Sequence, residues 1–223
     1  MGFKDLLGIS PERLLLAIQQ SIYMILIALL IGALIGIPFG ILLVLTRNDG
    51  VLKNRTVFFI LNHVINIIRS IPFVILLIFI MPFTRSLIGT SIGSNAAIVP
   101  LVFYISPYLA RLVENSLLEV DKGIIEAAEA MGANTFEMIW HFLLPEALGS
   151  LVLAITTGTI GLIGASAMAG TIGGGGVGDL ALTYGYQRMN TPLMVVTVII
   201  LVLFVQLIQT FGNHFSKKMR KHA

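Results

Sequence analysis

Long apolar runs, separated by short polar segments, alternate from one end of the chain to the other. Neither the strict alternation of a half-buried strand nor the narrow apolar stripe of a surface helix accounts for them. Crossing the hydrocarbon layer takes about 17–25 apolar residues. On that measure five spans are expected: within 14–45, between 57 and 83, and at about 96–113, 147–172 and 193–211. The first carries Gly32, Gly36 and Gly40 at four-residue spacing, and the second is interrupted by Asn62, His63, Asn66, Arg69 and Pro72. The third contains Pro100 and Pro107, and the fourth is crowded with Gly, Ala, Ser and Thr. Neither an internal repeat nor a low-complexity linker divides the chain, so residues 1–223 read as one all-α membrane domain.

The segment at about 121–145 breaks this pattern, because it is polar and helix-prone yet lies between spans three and four. Asp121 suits the N-cap of a helix through about Met131, and Gly132 suits the position just past its end. Asn134 followed by Glu137 has the spacing of a capping box opening a second helix, which Pro145 is expected to limit. Ile125, Ala128, Phe136, Ile139, Trp140 and Leu143 are expected to form buried stripes. Glu126, Glu129 and Glu137 are left to meet a basic partner.

Composition agrees with a polytopic membrane protein: 57% of residues are hydrophobic and 11% charged, against about 25% charged in ordinary soluble domains. With no cysteine there is no disulfide framework, no thiolate nucleophile and no Cys-based metal site. The start of the chain lacks the compact apolar run and cleavage site of a removable signal peptide. Net charge is only +3, but its distribution assigns sides. Arg47, Lys53 and Arg55 follow span one, Lys122 follows span three with Arg111 at its edge, and Lys217, Lys218, Arg220 and Lys221 follow span five. The opposite side carries the sparser set Lys4, Arg13, Arg85 and Arg188. The positive-inside rule then places the helix pair and the C-terminus in the cytoplasm, and the N-terminus outside.

Three readings of the cytoplasmic insert compete: an incidental loop, a DNA-binding helix-turn-helix, and a docking element for another protein. The second fails on charge, since Thr135 to Leu144 contains no Lys or Arg to meet phosphate. The chain also has no phosphate-binding Gly-x-x-x-x-Gly-Lys-Ser/Thr loop. Gly173, Gly175 and Gly178 match a bare G-x-G-x-x-G, but they follow a membrane helix rather than a strand. They read as a flexible outer turn, or as a contact for a substrate-delivering protein. His63, His141, His214 and His222 are scattered with no second ligand at metal spacing. No Ser/His/Asp set converges, which argues against an enzyme.

At the insert a family resemblance appears. Glu126-Ala127-Ala128, Gly132, Phe142 and Leu144-Pro145 resemble the "EAA" signature of bacterial ATP-binding-cassette importer permeases, which usually carry isoleucine where Phe142 stands. Arg69-Ser70-Ile71-Pro72-Phe73, Gly89-Thr90-Ser91-Ile92-Gly93 and Ser166-Ala167-Met168-Ala169-Gly170 resemble the methionine-import branch of those permeases. The resemblance implies a homodimer in the bacterial inner membrane, docked to two cytoplasmic ATPase subunits that carry ATP and Mg. It also implies an extracytoplasmic binding protein that delivers an amino acid, methionine foremost. In that mechanism closure of the ATPase pair pulls on the Glu126–Pro145 segment and reorients the spans.

Span four is expected to wall the pathway. Its small residues, Gly164 and Ser166 among them, suit either close helix approach or pore lining. Met168, flexible and apolar among small neighbours, is either a gate or a gap-filler. Arg69 and Pro72 match an Arg-x-x-Pro pattern of the family. A charge within a span points to function by default, and Pro72 three residues on can break the helix. A structural or gating role is expected for both ahead of direct substrate binding, with Arg111 and Glu114 as compensating charges. The alternatives are the same machine carrying another amino acid, and a stand-alone secondary carrier. The second alternative would need ion-coupling residues at mid-membrane, and spans one, four and five have none.

Overall fold

A computed structural model of the chain describes residue 4 and residues 7–220. The sequence readings that involve Lys221 and His222 lie outside the described residues. Helix α1 runs Pro11–Thr46, followed by α2 (Arg55–Ser70), α3 (Phe73–Phe79), α4 (Met81–Ile88) and α5 (Ser94–Leu118). After α5 come α6 (Lys122–Ala130), a short helical lead-in at Thr135–Glu137, and a π turn at Met138–Leu143. Helix α7 (Leu144–Ala169) continues from that turn, and α8 (Thr191–Met219) closes the fold. Four continuous stretches are long and apolar enough to cross a membrane: Pro11–Thr46, Ser94–Leu118, Thr135–Ile172 and Thr191–Met219. A fifth crossing exists only as the broken pair Arg55–Ser70 and Phe73–Phe79. Pro72, in extended conformation at the N-cap of α3, separates the two pieces because it can neither donate to a ladder nor leave its predecessor helical.

Two of the expected boundaries are overturned. Pro145 does not limit the second helix of the insert. The Leu144 N–H reaches back to the Ile139 carbonyl, an i→i−5 bond. The missing N–H of Pro145 thus falls where the ladder changes from π to α spacing and costs little. Helix from Thr135 therefore passes straight into span four. The glycines after span four are likewise no flexible turn. Gly170, Gly176 and Gly178 are buried, and the turn is fixed by hydrogen bonds from Gly176 N–H to Gln20 Oε1 (3.0 Å) and from Val177 N–H to Ser21 Oγ (2.9 Å). The Ser94 hydroxyl donates to the Gly174 carbonyl at 3.0 Å.

The chain divides into two compact units. The first comprises Met1–Gly32, Ile71–Ile105 and Thr159–Ile208. Its apolar centre joins Leu7, Ile9, Ala17, Leu180 and Leu193, and Asn190 Nδ2 donates to the Leu7 carbonyl at 2.8 Å. Arg13 and Arg188 each set a guanidinium over the Tyr184 ring, at 4.3 and 4.2 Å from its centroid.

The second unit comprises Ala33–Ser70, Ser106–Gly158 and Gln209–Ala223. Here the four-residue glycine spacing of α1 has a direct use. A Cβ on Gly36 would stand 2.6 Å from the Ser106 carbonyl oxygen, and one on Gly40 would stand 2.6 Å from that of Ala110. Glycine lets α1 lie against the backbone of α5. Val113, Leu117, Val120, Leu143 and Ala147 form the core that supports the insert. The end of α8 is tied to the start of α7 by the Ser216 hydroxyl, which donates to the Gly149 carbonyl at 2.8 Å.

Candidate docking foot and pathway residues

The insert is a two-part foot within the second unit, and its expected caps are present. Asp121 accepts from the Gly123 N–H at 2.7 Å and starts α6. Gly132, at φ +77°, ends it in the left-handed region that glycine adopts without strain. The Ala133 N–H then returns to the Ala128 carbonyl at 3.0 Å. Asn134 and Glu137 close a full capping box, each side chain accepting from the other's backbone N–H, at 2.9 and 3.0 Å.

This geometry sorts the signature residues. Ala128 is buried under α6, Phe142 and Leu144 are half-buried, and Glu126, Ala127, Gly132 and Pro145 are exposed. The expectation that Phe136 and Trp140 belong to buried stripes is corrected: they are 66% and 56% exposed, and their ring centroids lie 5.9 Å apart. Periodicity marks a residue as face-forming and cannot tell a face turned to the core from one turned to a partner. Exposed Met131, Phe136 and Trp140 with Ala127 and Ala130 give the foot an apolar sole, rimmed by Glu126, Glu129 and Glu137. A cavity of about 400 Å³ beside it is lined by Arg47, Asp49, Lys122, Glu126, Glu129 and Met138 among others.

The second unit also holds a charge network built on one buried carboxylate. Glu114 is 2% exposed. One of its oxygens accepts from Arg111 Nη1, and the other lies 3.7 Å from Arg47 Nη1. Arg111 Nη2 also donates to Asn62 Oδ1 (2.7 Å) and Asn66 Oδ1 (2.8 Å), so one guanidinium links α2 to α5. Arg111 and Glu114 thus pair with each other and do not compensate Arg69. Arg69 instead sets its guanidinium 5.7 Å from the Tyr108 ring centroid. Arg47 as the second cation on Glu114 is legible only in three dimensions, since the two lie far apart along the chain.

In the first unit, the remaining pathway candidates fall on different faces of α7. Met168 is 46% exposed, and Gly164, four residues earlier, is exposed with it. Ser166 is 3% exposed and its hydroxyl donates to the Ile163 carbonyl at 2.8 Å, so it serves its own helix. Pro72 caps α3. Among the described residues no three His, Cys, Asp or Glu side chains gather as a metal site.

Sequence comparison settles the family. Residues 36–221 match the profile described as binding-protein-dependent transport system inner membrane component. The chain belongs to that family. Among its relatives is "Probable D-methionine transport system permease protein MetI" of Vibrio cholerae, 43% identical over 212 residues that cover 95% of this chain and 94% of the relative. The methionine import system permease protein MetP of Bacillus subtilis is 45% identical, with 77% of this chain and 78% of the relative covered. A solved structure described as an inward-facing conformation of the MetNI methionine ABC transporter superposes with a TM-score of 0.92 at 41% identity, covering 95% of this chain and 99% of that chain. An amino acid ABC transporter structure shares the fold at a TM-score of 0.77 and 17% identity. The family fold is therefore a multi-pass helical membrane permease, and the expected all-α architecture with its helical insert is what the chain adopts.

Proposed function

We propose that the chain is the permease subunit of a methionine importer, working as a homodimer and energised by two separate ATPase subunits. The observation that carries this reading is identity of 41–43% over 95% of the chain to a methionine-import permease and a methionine transporter structure, with 45% over 77% of the chain to a second such permease. The foot supports it independently. An apolar sole ringed by carboxylates is a surface that another protein would cover. The chain itself lacks any phosphate-binding loop to supply energy.

In this reading the membrane chain is one permease domain with its C-terminus and foot in the cytoplasm and its N-terminus outside. Glu126, Ala127, Ala128, Gly132, Phe142, Leu144 and Pro145 form the coupling segment, with Ala128 and Leu144 as internal supports and the rest as contact or shape. ATP and Mg belong to the ATPase subunits, and an extracytoplasmic binding protein delivers the amino acid. Met168 and Gly164 face the path, Met168 as gate. Ser166 packs α7, while Pro72 sets the break in the second span.

The test is reconstitution in proteoliposomes with a cognate ATPase and binding protein, followed by an uptake screen over amino acids. Methionine uptake that requires ATP and both partners is the expected result. Uptake by the purified chain without ATP would refute the assignment.

A further inference from the structure

Helix α2 exposes an apolar strip and, about half a turn round, a polar one, with exposed His63 and Ser70 between them. Ile60, Val64 and Ile67, at i, i+4 and i+7, form an exposed apolar stripe suited to lipid. Asn62, Asn66 and Arg69 recur with the same spacing about half a turn away, where Asn66 and Arg69 are exposed, and exposed Ser70 lies at the edge of that strip. A span cannot turn such groups to hydrocarbon, so the polar face borders either protein or water.

The two guanidiniums on this face differ in what they hold. Arg111 is occupied by Glu114, Asn62 and Asn66. Arg69 rests against the Tyr108 ring and, among the described residues, has no carboxylate within ion-pair distance. The Ser70 hydroxyl donates to the Asn66 carbonyl at 2.7 Å, fixing the last turn of α2 beside it. A cation–π contact orients a guanidinium plane while leaving its N–H edge open. That edge matches a carboxylate bidentately.

We propose that the polar face of α2 lines the water-filled path and that Arg69 receives the α-carboxylate of the amino acid in transit. The proposal rests on the amino-acid import reading above. It assigns the cation a ligand of the cargo's own chemistry, rather than a phospholipid phosphate reached by snorkelling. One cation on an open face makes a shallow site, which passage requires, since a deep one would hold the cargo.

The chain has no cysteine, so Ser70→Cys and Ile67→Cys provide single reporters in the full transporter with its ATPase, without nucleotide, in membranes. The probe is a membrane-impermeant sulfonate thiol reagent applied to vesicles open to both faces. Ser70→Cys is expected to label readily and Ile67→Cys scarcely. Excess methionine is expected to protect Ser70→Cys, methioninamide is not, and Arg69→Gln added to Ser70→Cys is expected to abolish the protection. Should Ser70→Cys fail to assemble, Arg69→Cys reports the same water access and the same protection is expected to be absent. Labelling of Ser70→Cys or Arg69→Cys no faster than Ile67→Cys would place a lipid or a protein surface on this face and overturn the proposal. So would protection by the amide, or protection that survives Arg69→Gln. Methionine uptake by the unsubstituted transporter is measured alongside. Its failure refutes the methionine reading, and protection by whichever amino acid is taken up then decides the site.

Discussion

Glu114 receives Arg111 on one carboxylate oxygen and Arg47 near the other, in a setting where it is 2% exposed. Two cations around one buried anion stabilise little by net charge, because each group first loses its water. Removing the anion alone is different, since it strands the Arg111 guanidinium, while Arg47, 40% exposed, keeps Asp49 at 3.5 Å. Glu114→Ala is therefore expected to destabilise the permease by about 3–5 kcal/mol, the range for breaking a buried pair from one side. The measurement is thermal unfolding in detergent. Adding Arg111→Met to Glu114→Ala is expected to recover part of the loss, and equal or greater destabilisation in the double variant would remove the network from the account. Arg69 poses the contrasting case, a cation in the last turn of α2 whose guanidinium rests against the Tyr108 ring and, among the described residues, meets no carboxylate.

At the scale of elements, the foot separates what a sequence discloses from what it conceals. Asp121, Gly132 and the Asn134–Glu137 box are local signals, each acting within four residues, and residue type and spacing alone reveal them. The π turn leaves no such local mark, and on either side of it Leu143 and Ala147 both reach the core of Val113, Leu117 and Val120. Proline rules alone make Pro145 a stop. The direction of Phe136 and Trp140 is equally hidden, since an apolar stripe looks the same whether a core or a partner covers it. Their exposure leads to a prediction. Phe136→Ala with Trp140→Ala is expected to leave unfolding within about 0.5 kcal/mol of the parent, as for surface changes. ATPase association and ATP-driven uptake are expected to fall together by at least about tenfold, the loss of an interface anchor. A pull-down of the ATPase and an uptake assay check both, and unchanged association would move the docking surface elsewhere.

For the whole molecule, charge distribution is the sequence's argument for sidedness, while the broken second span hides its true form. Val57 to Phe83 reads as one interrupted span, yet α2 ends at Ser70, α3 begins at Phe73 and α4 at Met81. The proposed five-span topology puts Met189 and Lys218 on opposite sides of the membrane. Met189→Cys is expected to label only from outside intact cells, and Lys218→Cys only after the membrane is opened. Labelling of both from one side would mean that α8 does not cross, and would sink the topology. The π turn at Met138–Leu143 has one more consequence at this scale. The second helix of the foot runs without a break into span four, and the wide turn holds a residue more than α geometry would use. Deleting that residue would rotate everything beyond it by about 100° about the helix axis. Ala147 and Ala154, now buried, would swing out of their sockets. The turn is a phase setting: it fixes the angle about the helix axis at which Ala147 and Ala154 stand relative to the second helix of the insert.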